Sequence, residues 1–238
     1  MVDTIAILGS SGAIGKALTE QAQATYPKAR IHAFSRSKGL DLPGLTSHSI
    51  DYHDEASLAA SAALAAREAP LDLVLVATGL LHDGAMGPEK SLRDLSAEKF
   101  QHLFAVNSIV PALAAKHFLP KLNKDRRSVF AALSARVGSI SDNHLGGWYA
   151  YRASKAALNM ILKNAAIEVA RRNKQAIIVG LHPGTVDSAL SKPFQGNVAA
   201  GKLFTPAFSA QKLMAVLDSL TPDQSGQCFA WDGQEIHP

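Results

Sequence analysis

One cysteine, Cys228, stands among 238 residues. A single thiol excludes a disulfide framework and a cysteine-based metal site within one chain, and it fits a reducing compartment, so a cytoplasmic location is expected. The nine histidines show no His-x-x-x-His or similar ligand spacing, and no bound metal is expected. No uninterrupted apolar run reaches the ~18 residues of a membrane span. The start, Met1-Val2-Asp3-Thr4, lacks the basic flank and apolar core of a signal peptide. Charge of one sign is not concentrated either. The formal net charge is +4, and the small basic groups at 121–127 and 171–174 read as solvated helix ends, not as a nucleic-acid stripe. No repeat, linker or second domain is visible. What remains is a 47% hydrophobic chain able to bury a sizeable core.

The pattern that fills it is an alternation of short apolar runs and helical stretches. Residues 4–8 form an apolar run typical of a strand buried on both faces. Gly9-Ser10-Ser11-Gly12-Ala13-Ile14-Gly15 follows, then a helical run at 16–25. A glycine-rich turn between strand and helix suits a dinucleotide: Gly9 makes the turn, Gly12 admits a pyrophosphate, Gly15 lets helix and strand pack, and the helix N-terminus and the serine hydroxyls meet the phosphates. Residues 30–34 read as the second strand, followed by Ser35-Arg36 in place of the acid that usually holds a ribose 2′-hydroxyl. An arginine there suits a 2′-phosphate, so NADP(H) is preferred over NAD(H).

Further strands are expected at 49–51, 71–77, 128–133, 176–181 and 226–231. Helices are expected at 54–68, 96–119 with a possible kink at Pro111, and 210–220. Asp51 is placed to meet an adenine edge or to cap the next segment. Thr78 and Gly79 end the fourth strand over the cofactor, and Asn107 is a lone amide among apolar residues, either a satisfied core group or the holder of a water. Residues 187–209 form a small substrate loop region. The whole reads as a single α/β domain over 1–238, a Rossmann-type doubly wound sheet, mainly parallel, with helices on both faces.

Tyr151-Arg152-Ala153-Ser154-Lys155 opens the helix that follows the fifth strand. Residues four apart share a helix face. A cation beside a phenol favours the phenolate, so the pair is expected to bring the tyrosine toward the working pH and to pass a proton to or from an alcohol or carbonyl oxygen.

The glycine loop, Thr78-Gly79, Asn107, Ser134, the Tyr-Lys pair and Pro183-Gly184-Thr185-Val186 together resemble the short-chain dehydrogenase/reductase family, over the whole chain. Residues 137–143, Gly146-Gly147 and the Tyr-Arg-Ala-Ser-Lys run resemble its C-factor and Sniffer-like carbonyl-reductase branch. The resemblance implies an NAD(P)(H)-dependent enzyme acting on a small carbonyl or alcohol, usually as a homodimer or homotetramer. It implies Tyr151 as general acid/base and Lys155 on the nicotinamide ribose. It also implies a serine on the substrate carbonyl, a relay through Asn107, and Pro183, Thr185 and Val186 at the cofactor head group. Three positions depart from the family pattern. Ala13 holds the place of the middle glycine, Val76-Ala77-Thr78-Gly79 replaces Asn-Asn-Ala-Gly, and counting back three from Gly138 reaches Ala135. Ser134, at the strand end, is taken as the serine, with Ser139 in reserve. The alternative from another class is a non-catalytic dinucleotide-binding sensor; an extended-type nucleotide-sugar epimerase would need a longer C-terminal region.

Overall fold

The computed structural model describes residues 2–36, 44–84 and 86–238. Seven strands lie side by side: β1 (Thr4–Leu8), β2 (Arg30–Ser35), β3 (Leu45–Ser49), β4 (Leu73–Val76), β5 (Ser128–Leu133), β6 (Ala176–His182) and, last in the chain, a strand at Cys228–Ala230. Two short strands, β7 (Thr185–Val186) and β8 (Leu203–Phe204), pair apart from the sheet, so the last strand is β9. The sheet order is β3-β2-β1-β4-β5-β6-β9, and every pairing is parallel. The order reverses between β1 and β4, and ligands of such sheets bind at the carboxyl ends of the strands beside that reversal.

Among the described residues six α-helices cover the sheet: α1 (Ala13–Thr25), α2 (Glu55–Ala65), α3 (Ala97–Phe104), α4 (Val110–Phe118), α5 (Tyr149–Ala170) and α6 (Pro206–Ser219). Side chains alternate along each strand, so the sheet has two apolar faces. Ala6, Leu8, Val74, Val76, Phe130 and Ile178 pack under α2, α4 and α5; Ile5, Ile7, Leu75, Val129, Ile177 and Val179 pack under α1 and α6. Burying each large aliphatic or aromatic side chain contributes roughly 1.5–3 kcal/mol.

Several sequence-based boundaries move. The third strand lies at Leu45–Ser49, before the expected 49–51, because Ile31 to Ser35 pair with these residues. They are polar and half exposed, as an edge strand permits, and carry no apolar run to mark them. The sixth helix starts at Pro206, inside the expected loop region of 187–209. Thr205 caps it by accepting the Phe208 N–H, and proline occupies the first turn. The expected 96–119 helix is interrupted at Ala105–Ile109 by a π turn, upstream of Pro111. The joined stretch, 97–121, is long and apolar enough to cross a membrane by length and composition; here Leu103, Val110, Ala114 and Phe118 are buried.

Candidate active site

At the carboxyl ends of β1, β4, β5 and β6 the chain surrounds a cleft of about 570 Å³. A larger groove of about 900 Å³ runs along the outer sides of α4 and α5, far from the side chains singled out above. The cleft brings together Ser11, Gly12, Ile14, Thr78, Gly79, Ser134, Tyr151, Lys155, Pro183, Thr185 and Val186.

The glycine turn forms the first wall. Gly9 is left-handed (φ 82°), and a Cβ there would sit 2.9 Å from the Ala77 carbonyl carbon. A Cβ on Gly15 would sit 2.1 Å from the Gly9 oxygen, so only glycine allows helix and turn to pack this closely. Gly12 begins α1 without a side-chain cap, which leaves the helix N-terminus to the cleft. Ser10 does not reach it: the residue is buried and its hydroxyl donates to the Phe34 carbonyl at 3.1 Å. Tyr52, which sequence reasoning passed over, braces the turn. Its hydroxyl accepts the Gly9 N–H at 2.6 Å and donates to Phe34 O at 3.1 Å.

Arg36 is exposed just after β2 and pairs with no carboxylate among the described residues. It lies close enough to Tyr52 for its charge to act on the phenol. Ser35 is buried. Asp51 is exposed and outside the cleft lining, and its Oδ1 accepts the His53 N–H at 2.9 Å.

Tyr151 and Lys155 form the floor, both buried, on one face of α5. Lys155 Nζ lies 5.9 Å from the Tyr151 ring centre and donates to the Leu133 carbonyl at 2.8 Å. Burial pushes the Lys155 ammonium down to about 8 and the Tyr151 phenol up to about 12. The expected lowering of the tyrosine is therefore absent in the ligand-free chain. The ammonium is engaged by a backbone carbonyl, and desolvation of the phenolate dominates.

Asn107 sits in the π turn, fully buried. Its Oδ1 accepts the Leu80 N–H at 2.8 Å, and its Nδ2 donates to Leu80 O at 2.8 Å and to Ser154 Oγ at 3.1 Å. The side chain thus ties the segment after β4 to α5, the satisfied-amide half of the expectation. Ser134 lines the cleft, but its hydroxyl donates to Asn159 Oδ1 at 2.6 Å. Ser139 is buried outside the lining, with its Oγ accepting the Asp142 N–H at 3.1 Å. Ala135 lies against Tyr151, Ala150 and Leu81. Gly138 is a second position that sequence reasoning used only for counting: a Cβ there would meet the Lys155 backbone and Cβ at 2.9 Å.

Aromatic and aliphatic groups close the outer part. Trp148 packs on Tyr151 (ring centres 6.2 Å apart) and Phe194 (5.0 Å), and Phe194 meets His82 (5.6 Å). Leu81, Val137, Leu190 and Val198 complete the lining.

A parallel sheet with its glycine turn and open helix end at the strand reversal, facing a buried tyrosine–lysine pair, defines a dinucleotide-binding oxidoreductase. The chain belongs to the short-chain dehydrogenase/reductase family of NAD(P)-dependent oxidoreductases, whose model, described as short chain dehydrogenase, matches residues 3–198. The chain is 31% identical over 153 residues to the C-signal protein of Myxococcus xanthus, covering 64% of this chain and 87% of that protein. It is 27% identical over 234 residues to 1-hydroxy-2-glutathionyl-2-methyl-3-butene dehydrogenase of Rhodococcus sp. (strain AD45), covering 98% of each. Among solved structures, the NADPH-bound carbonyl reductase from chicken fatty liver superposes with a TM-score of 0.86 at 23% identity, over 100% of this chain and 99% of that one. The carbonyl reductase Sniffer of D. melanogaster gives 0.85 at 19% identity, over 100% of both.

Proposed function

We propose that the chain is an NADPH-dependent reductase of apolar carbonyl compounds, with Tyr151 as the proton donor. The observation that carries this reading is the phenol itself, buried on the cleft floor and one helical turn from Lys155. The cleft suits a dinucleotide on two counts. Gly12 and the uncapped start of α1 leave N–H groups for phosphates. Thr78 Oγ1 is buried with no hydrogen-bond partner among the described residues, which favours a ligand polar group there.

When bound, a reduced nicotinamide supplies the hydride. Tyr151 holds the proton at its hydroxyl oxygen until the carbonyl oxygen takes it. Lys155, once cationic, stabilises the phenolate left behind. For Ser134 to polarise the carbonyl, its hydroxyl must exchange Asn159 for the substrate, so its share is assigned as minor. Trp148, Phe194, Leu81 and Val198 exclude water and favour an apolar, aromatic-sized substrate. Arg36 and the lack of an acid after β2 support NADPH, with NADH as the weaker cofactor. Self-association belongs to the same proposal. Ile109, at the end of the π turn, and Met160 and Ile167, on α5, stand exposed, which supports a homodimer or homotetramer; a monomeric mass by light scattering would refute it.

The test is titration with NADPH and NADH, for wild type and Arg36→Asp, followed by a panel of aromatic and aliphatic ketones and aldehydes. NADPH is expected to bind about tenfold or more tightly than NADH, an advantage the variant loses. Equal loss of both affinities contradicts the role of Arg36. Tight binding with no turnover of any carbonyl favours a sensor.

A further inference from the structure

The helices differ in how their N-termini are satisfied. α2, α3 and α6 each use the side chain of the preceding residue, Asp54, Ser96 and Thr205. α1 and α5 have no such cap. For α1 the open end belongs to the phosphate wall. For α5, 22 residues long and without an acid in its first turn, the partner comes from far along the chain.

That partner is Glu89, in the connection between β4 and α3 and only 1% exposed. Its main-chain carbonyl accepts the Trp148 N–H at 2.6 Å, and its Oε2 accepts the Ala150 N–H at 3.3 Å. The chain reaches this contact through three successive left-handed residues, Gly146 and Gly147 (both φ 64°) and Trp148 (φ 51°). Among the described residues, Trp148 is the one non-glycine with positive φ. A Cβ on Gly147 would lie 3.4 Å from the Glu89 oxygen. Holding a tryptophan in that conformation costs backbone strain that glycine would not. Burying Glu89 Oε1 without a hydrogen-bond partner among the described residues adds a desolvation cost. Both costs fall within three residues of Tyr151 or in direct contact with that stretch.

We infer that Glu89 is a positioning residue for Tyr151. Its main-chain carbonyl holds Trp148 and its carboxylate holds Ala150, and the carboxylate contact is what fixes the rotation and depth of the first turn of α5, and with them the phenol. The inference rests on the reading of Tyr151 as proton donor. A cap from the neighbouring residue would tie α5 only to itself. Glu89 ties it to the segment that also brings Leu81 against Tyr151 and Ala150, so the two sides of the cleft move together.

The experiment compares Glu89→Ala, Glu89→Asp and Glu89→Gln in a Trp231→Phe background, where Trp148 is the remaining tryptophan of the two. Glu89→Ala is expected to lower kcat about tenfold to a hundredfold, the effect of displacing a reacting group by about an ångström, with NADPH affinity changed less than about twofold. In the ligand-free protein its Trp148 emission shifts to the red and is quenched more readily by acrylamide. Glu89→Asp, whose carboxyl is withdrawn by one methylene, behaves in the same direction if the alanine variant does not fold. Glu89→Gln, whose amide oxygen accepts the same N–H, keeps native emission and most of kcat. The inference is overturned if Glu89→Ala or Glu89→Asp keeps kcat and emission, if kcat falls only together with NADPH binding and thermal stability, or if glutamine fails to rescue. Turnover surviving in Tyr151→Phe would instead refute the proton-donor reading. The fluorescence comparison needs no turnover and decides the role of Glu89 at the start of α5 separately.

Discussion

Burial moves Tyr151 and Lys155 in opposite directions along the pH scale, both toward their neutral forms. The phenol, pushed up to about 12, keeps its proton across the physiological range. The lysine, near 8, is the group whose charge changes there. A group whose pKa is depressed to that value is cationic below it and neutral above. If the cation supports the phenolate, kcat/KM for NADPH, which reports the free enzyme, should be level at neutral pH and fall as pH rises through about 8. Lys155→Arg should carry that limb beyond the accessible range, since a guanidinium stays charged. A limb unmoved by the substitution would assign the titration elsewhere. This pair was legible in the sequence because residues four apart on a helix are neighbours whatever the fold. Ser134 was half legible: Phe130, Ala132 and Ser134 alternate onto the face that α5 covers, which aims the serine at Asn159. Glu89, Tyr52 and Asn159 were not legible. Each is an isolated residue whose partners lie 18 to 61 positions away, and no local pattern marks such a contact.

At the scale of elements, the cleft is assembled from ends: the open end of α1, the first turns of α5, and the last residues of β4, β5 and β6. The apolar runs revealed the central strands because a parallel sheet covered on both faces needs continuous hydrophobic strands. The edge strand β3 escaped because its exposed face demands none. The π turn at Asn107 also escaped, for the amide that ties this turn to Leu80 and Ser154 makes bonds that sequence periodicity does not encode. Packing between the turn at Arg136–Gly138 and α5 is equally tight. Gly138→Ala must displace the helix at Lys155, since its new Cβ would be 2.9 Å from that residue. We expect a folded protein, less stable by about 1–3 kcal/mol, with kcat reduced at least about tenfold. Unchanged kcat would show that the turn yields instead of the helix.

Across the whole molecule, the end of the sheet remote from the cleft is fastened by Asp72. Its side chain is fully buried; it accepts Arg126 Nε and Nη2 at 2.8 Å each, Asn123 Nδ2 at 3.0 Å and the N–H groups of Asp3 and Thr4. Burial alone raises its pKa, but these donors outweigh it and hold the carboxyl below the usual range. A depressed carboxylate stabilises the fold at pH values above its unfolded pKa, about 3.9, and that contribution is lost as pH falls through the folded value. Stability should therefore drop below about pH 4. Asp72→Ala, which removes the shared acceptor of five donors, should cost about 3 kcal/mol at neutral pH and flatten the acid limb. A urea midpoint unchanged at pH 7 would contradict this. The network is distant from Tyr151, so the variant's kcat should stay near that of wild type under folding conditions.

The central claim is tested most directly by single-turnover reduction of an aromatic ketone with saturating NADPH, comparing wild type, Tyr151→Phe and Ser134→Ala. The account predicts a fall of about 10²–10⁴ in rate for Tyr151→Phe with NADPH affinity retained, and a fall below about tenfold for Ser134→Ala, whose hydroxyl is held by Asn159. A Tyr151→Phe protein that reduces the ketone at the wild-type rate would contradict it.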